Sequence, residues 1–240
     1  MRTIYAFVLA LSLGISLVSC TKTNEIVLSG QLVKVEKPFS HFSSIEVHDG
    51  FKVVFVLADH EKVEVEADAN VQPHISVIQQ GSKLIFKKAE PGVYFPLKTT
   101  IKIIVSAKHL DALSAHGGAS ISSTDTLMTK SLTLALTGGA FVATNLACSD
   151  LNISVHGGSK TSLTGFAEYC WLLSTGGSVF KGFDLNARSF KCDVAGGGSV
   201  NVTVHENLAV TASGGSTVIY RGDGIVVNEQ LTGGSALIKQ

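Results

Sequence analysis

The ten residues "LNISVHGGSK", Leu151 to Lys160, contain the repeating unit that decides the fold. Apolar Leu151, Ile153 and Val155 alternate with polar Asn152, Ser154 and His156, and the run ends in the pair Gly157–Gly158. Alternation with a period of two sends one strand face into a core and the other into water. A glycine pair after such a strand permits positive φ or close backbone approach at a corner. Taken alone, the pair could also cradle a phosphate, and His156 could bind a metal or move a proton.

The unit recurs, and that favours the corner. Glycine pairs stand at Gly117–Gly118, Gly138–Gly139, Gly157–Gly158, Gly176–Gly177, Gly196–Gly197, Gly214–Gly215 and Gly233–Gly234, at intervals of 21, 19, 19, 20, 18 and 19 residues. Near-constant spacing over half a chain is the mark of a repeat architecture. Four residues before each pair lie Leu113, Leu134, Ile153, Leu172, Cys192, Val210 and Glu229; two before lie Ala115, Leu136, Val155, Ser174, Val194, Ala212 and Leu231. Two residues after the first glycine the column holds only Ala, Ser or Gly, which predicts a crowded interior corner. Four after it, from Ile121 to Leu237, the column is apolar but for Thr161.

Coils of about 19 residues with constant column chemistry predict an all-β fold, a right-handed parallel β-helix (β-solenoid) with a glycine-pair corner in each C-terminal coil. The hand follows the rule for parallel crossovers. A sandwich or barrel would alternate too, but would not keep one chemistry at a fixed distance from every turn. Calcium-binding nonapeptide repeats need an Asp where this chain has Ser122, Ala143, Ser162, Lys181, Asn201, Ile219 and Ile238. A left-handed hexapeptide helix needs multiples of six, which these intervals break.

The N-terminal half alternates less regularly. "SSIEVHDGFKVVFVLAD" (Ser43–Asp59), "EKVEVEADAN" (Glu61–Asn70), "HISVIQQGSKLIFKKAE" (His74–Glu90) and "TTIKIIVSA" (Thr99–Ala107) read as strands, with the insert "PGVYFPLKTT" from Pro91 protruding. The expected organisation is a signal peptide over 1–20, an N-terminal β region of early coils and cap over 21–110, and the glycine-pair β-helix over 111–240.

The leader combines Arg2, an apolar run from Ile4 to Leu17 that is too short for a typical membrane span, and "LVSC" ending in Cys20. That ending resembles a bacterial lipobox, which implies lipidation of Cys20 and a membrane partner through the N-terminal anchor. An ordinary secretory peptide cut near Ser19, or an uncleaved anchor, is the alternative. "TKTNE" after Cys20 has no acidic cluster, so it gives little signal for surface export. Lys+Arg and Asp+Glu both number 19, without a run of like charge, which argues against nucleic acid as a partner. Charged residues make up only 16% of the chain, and 24 Gly against 4 Pro fits a body of strands and tight turns. After Cys20 come Cys148, Cys170 and Cys192, allowing at most one intramolecular disulfide. With no CxxC and no histidine at ligand spacing, they read as small core side chains rather than metal ligands.

The order "FSSIEV", "GFKVVFV" and "EKVEVEADANVQPHISVIQQGSKLIF" between Phe42 and Phe86, followed by repeated "GGAS"-type turns, resembles the GIN domain family over roughly residues 30–238. Its members are described as head domains of autotransporter adhesins and are abundant in Bacteroidetes as exported lipoproteins. The resemblance implies a right-handed β-helix associated with the cell envelope and supplies no catalytic residues. The chain departs from the autotransporter pattern in ending at Gln240, directly after the last coil, so no translocator or stalk is expected.

Candidate sites follow from the outward columns. His116 and His156 both precede a glycine pair but are separated by the Thr137 coil. At a strand spacing of about 4.8 Å they stand on the order of 10 Å apart, too far to share one zinc. No metal and no cofactor is expected, and nothing reads as a helix whose N-terminus could hold a phosphate. Asp193 beside Lys191 is the nearest approach to an acid/base site, with Ser154 and Leu173 rather than acids in the adjacent coils. Glu229 and Asp111 interrupt apolar columns in the last and first repeats, as expected of open or frayed end coils. Trp171, the one tryptophan, faces outward with Asn152 and Lys191 as ladder neighbours and Asp193 diagonally beyond. An exposed aromatic flanked by amide and charged groups is a candidate platform for a glycan or protein ligand. "RGD" at Arg221–Asp223 matches the integrin tripeptide but sits in "YRGDGI", a turn between coils. The leading expectation is a non-enzymatic envelope lipoprotein that displays a rigid solenoid for adhesion. A periplasmic scaffold and a carbohydrate-active enzyme are the alternatives; the oligomeric state is left open.

Overall fold

In a computed structural model of the chain, which describes residues 24–96 and 98–240, the alternating segments are strands and the glycine pairs are corners between them. The N-terminal half holds β1 (Asn24–Glu25), β2 (Leu32–Lys37), β3 (Ser44–Val47), β4 (Lys52–Leu57), β5 (Lys62–Asp68), β6 (Ile75–Gln80), β7 (Lys83–Lys88), β8 (Val93–Tyr94) and β9 (Ile101–Ala107). The rest holds β10 (Ala112–His116), β11 (Ser120–Thr137), β12 (Phe141–Val155), β13 (Lys160–Thr175), β14 (Val179–Ala195), β15 (Ser199–Ser213), β16 (Thr217–Arg221), β17 (Ile225–Leu231) and β18 (Ala236–Lys239). Strands β11 to β15 are 15 to 18 residues long because each follows its coil from one glycine pair to the next. Cys20 and the leader lie outside the described residues.

Every pairing within β10–β18 is parallel, which makes this half a β-solenoid. One column runs Leu84, Ile45, Leu113, Leu134, Ile153, Leu172, Cys192, Val210 and Glu229. A second runs Ile103, Val53, Ile121, Val142, Thr161, Phe180, Val200, Val218 and Leu237. All are buried except Glu229, which is exposed, and Leu237, which is half-buried; both belong to the last coil. Burying an aliphatic side chain of this size stabilises by about 1.5–3 kcal/mol, so the two columns form a continuous source of folding energy.

The columns extend into the N-terminal half, but in a spatial order that inverts the sequence. Strand β3 lies between β7 and β10, and β4 between β9 and β11. The coil of residues 44–57 therefore stacks on the first glycine-pair coil, and the coil of residues 83–107 lies outside it. That outer edge is closed by antiparallel strands: β6 on β7, β5 on β9 and β2 on β5. Antiparallel returns of this kind satisfy backbone groups that an open parallel edge would leave free for aggregation.

The corner chemistry is visible at Gly157–Gly158. Their φ values are +62° and +74°, a region that side chains with a Cβ rarely adopt. A Cβ on Gly157 would also lie 3.3 Å from the Gly138 nitrogen of the preceding coil, whereas one on Gly158 would meet open space. Both amides are used internally: Gly157 N–H donates to the Thr175 carbonyl and Gly158 N–H to the Gly176 carbonyl. They are not directed at an anion. The small column after the glycines does more than avoid a clash. Buried Ser159, Ser178 and Ser216 donate from Oγ to the carbonyls of His156, Thr175 and Ser213 at 2.7, 2.7 and 2.8 Å, closing each corner across its base.

Candidate binding face

From Tyr169 to Ser174, strand β13 presents its even- and odd-numbered residues to different environments. Cys170, Leu172 and Ser174 are buried, while Tyr169, Trp171 and Leu173 point outward. Trp171 is 43% exposed and Tyr169 56% exposed, so two large aromatic side chains lie two residues apart on one face, largely uncovered. The parallel register sets Asn152 and Lys191 on either side of Trp171, and Asp150 and Ser189 on either side of Tyr169. A groove of about 260 Å³ runs along this face, lined among others by Asp150, Asn152, Tyr169, Trp171, Lys191 and Asn207. On the other side of the indole a smaller hollow of about 150 Å³ is lined by Thr133, Ser154 and Leu173, among others. Trp171 thus forms a wall shared by two depressions.

Of the residues selected from the sequence, Trp171, Asn152 and Lys191 come together in this groove. Asp193 does not line it; it stands beside Leu173, one step further along the ladder. Tyr169, Asp150 and Asn207 belong to the face and were not singled out. The signal for Tyr169 was present, because it shares the phase of Trp171 in the alternation.

Asp150, the carboxylate that lines the groove, and Asp193 beyond it are poorly placed for hydrolysis. Asp150 and Asp193 are two coils and four residues apart, roughly 16 Å by strand geometry. Paired glycosidase carboxylates sit about 5–9.5 Å apart. Elsewhere, Glu168 and Glu206 are both ion-paired to Arg188.

The corner histidines are held in separate hydrogen bonds. His116 Nδ1 lies 2.8 Å from Thr137 Oγ1, and His156 Nδ1 lies 2.6 Å from Thr175 Oγ1. Burial, and then the neighbouring His48, hold His116 below the usual imidazole range. Cys148, Cys170 and Cys192 are buried free thiols. In the "RGD" turn the Arg221 guanidinium stacks 4.0 Å above the Phe183 ring, and its Nε donates to Gln240 Oε1 at 3.3 Å.

Residues 41–224 match the family described as "Putative auto-transporter adhesin, head GIN domain". The chain belongs to the GIN domain family. Solved structures share the fold of this GIN domain protein at low identity. A chain from Bacteroides fragilis described as "a putative adhesin" superposes with a TM-score of 0.81 at 19% identity, over 88% of this chain and 98% of that one. A second from Parabacteroides merdae, described in the same words, gives 0.72 at 20% identity over 90% and 99%. A third, from Parabacteroides distasonis and described as a "Putative lipid binding protein", gives 0.69 at 18% identity over 90% and 99%. No curated protein matches the sequence.

Proposed function

We propose that this GIN domain protein is a non-enzymatic adhesin of the cell envelope, tethered by a lipid on Cys20, whose Trp171–Tyr169 face binds a glycan. The observation that carries this reading is the pair of exposed aromatic rings set in one groove beside Asn152, Asn207, Asp150 and Lys191. Sugar rings offer an apolar C–H face and a rim of hydroxyls. Aromatic planes take the first, while amide, carboxylate and ammonium groups take the second. The groove's volume is just below the usual range for small-ligand sites, which suits one sugar unit of a longer chain crossing the ladder. Family membership supports adhesion and export, and the wide separation of Asp150 in the groove from Asp193 outside it supports binding over hydrolysis.

A glycan array probed with the purified protein tests the reading. Trp171→Ala and Tyr169→Ala are expected to lose the wild-type hits, while Phe141→Ala, on a different ladder, keeps them. Wild-type hits that survive Trp171→Ala would remove the platform. Protease shaving of intact cells tests the adhesive role separately: the protein is expected to be cleaved. Full protection would favour a periplasmic scaffold.

A further inference from the structure

The junction between the N-terminal coil and the first glycine-pair coil gathers three ligating side chains, away from the groove. Glu46 lies in β3, His48 follows that strand, and His116 ends β10, the strand paired with β3. The two imidazoles stack with centroids 4.8 Å apart and planes inclined by 24°. His48 Nε2 stands 2.8 Å from Glu46 Oε1. One ligating atom from each of the three residues lies within 4.8 Å of the other two. The Thr137 hydroxyl already engages His116 Nδ1, which steadies the ring and leaves Nε2 as its donor atom. Lys83 Nζ binds the other Glu46 oxygen, Oε2, at 2.7 Å, so Oε1 is the oxygen available to a metal. The Thr137 contact to His116 is the kind of outer bond that orients a ligating histidine.

We propose that Glu46, His48 and His116 form a zinc-class divalent metal site that clamps the N-terminal coil to the glycine-pair array. Two imidazole nitrogens and one carboxylate oxygen suit Zn²⁺, with bonds of about 2.0–2.2 Å and donors ~3.4 Å apart around a tetrahedral ion. His48 and Glu46 already approach that spacing. His116 closes the remaining gap by rotation about χ1 and χ2 of a half-buried ring. A water or an incoming ligand completes the fourth position. Because the ligands come from two coils, bound metal stabilises their stacking.

The purified protein, stripped with EDTA and desalted, is titrated with ZnCl₂ by calorimetry and then melted with and without zinc. One equivalent is expected to bind and to raise Tm. His48→Ala, His116→Ala and Glu46→Gln each weaken binding by about tenfold or more. His156→Ala, whose ring is committed to Thr175 and Ser154, leaves it unchanged. Lys83→Met tightens binding, because it removes the cation that competes for Glu46. This variant keeps the test decisive if a histidine replacement fails to fold. Absence of saturable zinc binding by the wild type, binding that survives loss of both histidines, or an affinity unmoved by Lys83→Met would each overturn the site.

Discussion

Thr161 and Ser174 are the polar members of otherwise apolar inward columns, and their hydroxyls are buried without a hydrogen-bond partner among the described residues. The corner serines differ, since each finds a carbonyl three residues back. A buried hydroxyl without a partner carries its desolvation penalty uncompensated. Thr161→Val keeps the shape and removes the hydroxyl, so it is expected to stabilise the protein by about 1 kcal/mol. Urea unfolding would show this as a higher midpoint at unchanged slope; a lower midpoint would contradict the burial argument. The sequence made both residues visible as exceptions in their columns. It could not show whether a partner stood nearby, because that depends on the neighbouring coil.

The glycine-pair strands were legible as elements because every constraint on them is local and repeated nineteen or so residues later. Gly165 was not, although it is the more constrained glycine. It stands alone in "TSLTGFAE", inside β13, with φ at +106°, and a Cβ there would fall 2.0 Å from the Leu146 carbonyl oxygen. The strain on glycine replacement therefore ranks Gly158→Ala mildest (φ alone), Gly157→Ala next (φ plus the 3.3 Å approach to Gly138) and Gly165→Ala worst. Melting temperatures of the three variants check that order. The first is expected to cost about 1–2 kcal/mol, and the last to abolish cooperative folding. Tyr169 shows the same limit on the functional side: alternation put it on the face of Trp171, but its exposure depended on what neighbouring segments left uncovered.

Over the whole molecule, the long-range order was what the sequence did not reveal. The coil of residues 44–57 sits between those of 83–107 and 111–122, and only that inversion brings His48 beside His116. The solenoid axis also carries a pH dependence. Burial raises the Cys148 thiol to about 11 and Cys192 to about 12, with Asp150 and Asp193 adding to the effect, and lifts Cys170 well above the usual range. Unfolded thiols ionise near 8.5. The folded state therefore holds more protons above that pH, so the stabilisation is complete below about pH 8.5 and falls as pH rises through 11–12. Urea midpoints at pH 7.5 and pH 10 should differ more in the wild type than in a Cys148→Ala/Cys192→Ala variant. An equal difference in both would show that the thiols do not carry the effect.

In the proposed function the ligand meets the protein at Trp171, and because this is the chain's single tryptophan its fluorescence reports on the groove and the hollow that share the indole as a wall. Titrating the purified protein with its glycan-array hits while recording tryptophan emission tests the claim most directly. A saturable change in intensity and a blue shift are expected as the indole is covered, both lost in Tyr169→Ala. Saturable binding with the emission unmoved would contradict the claim.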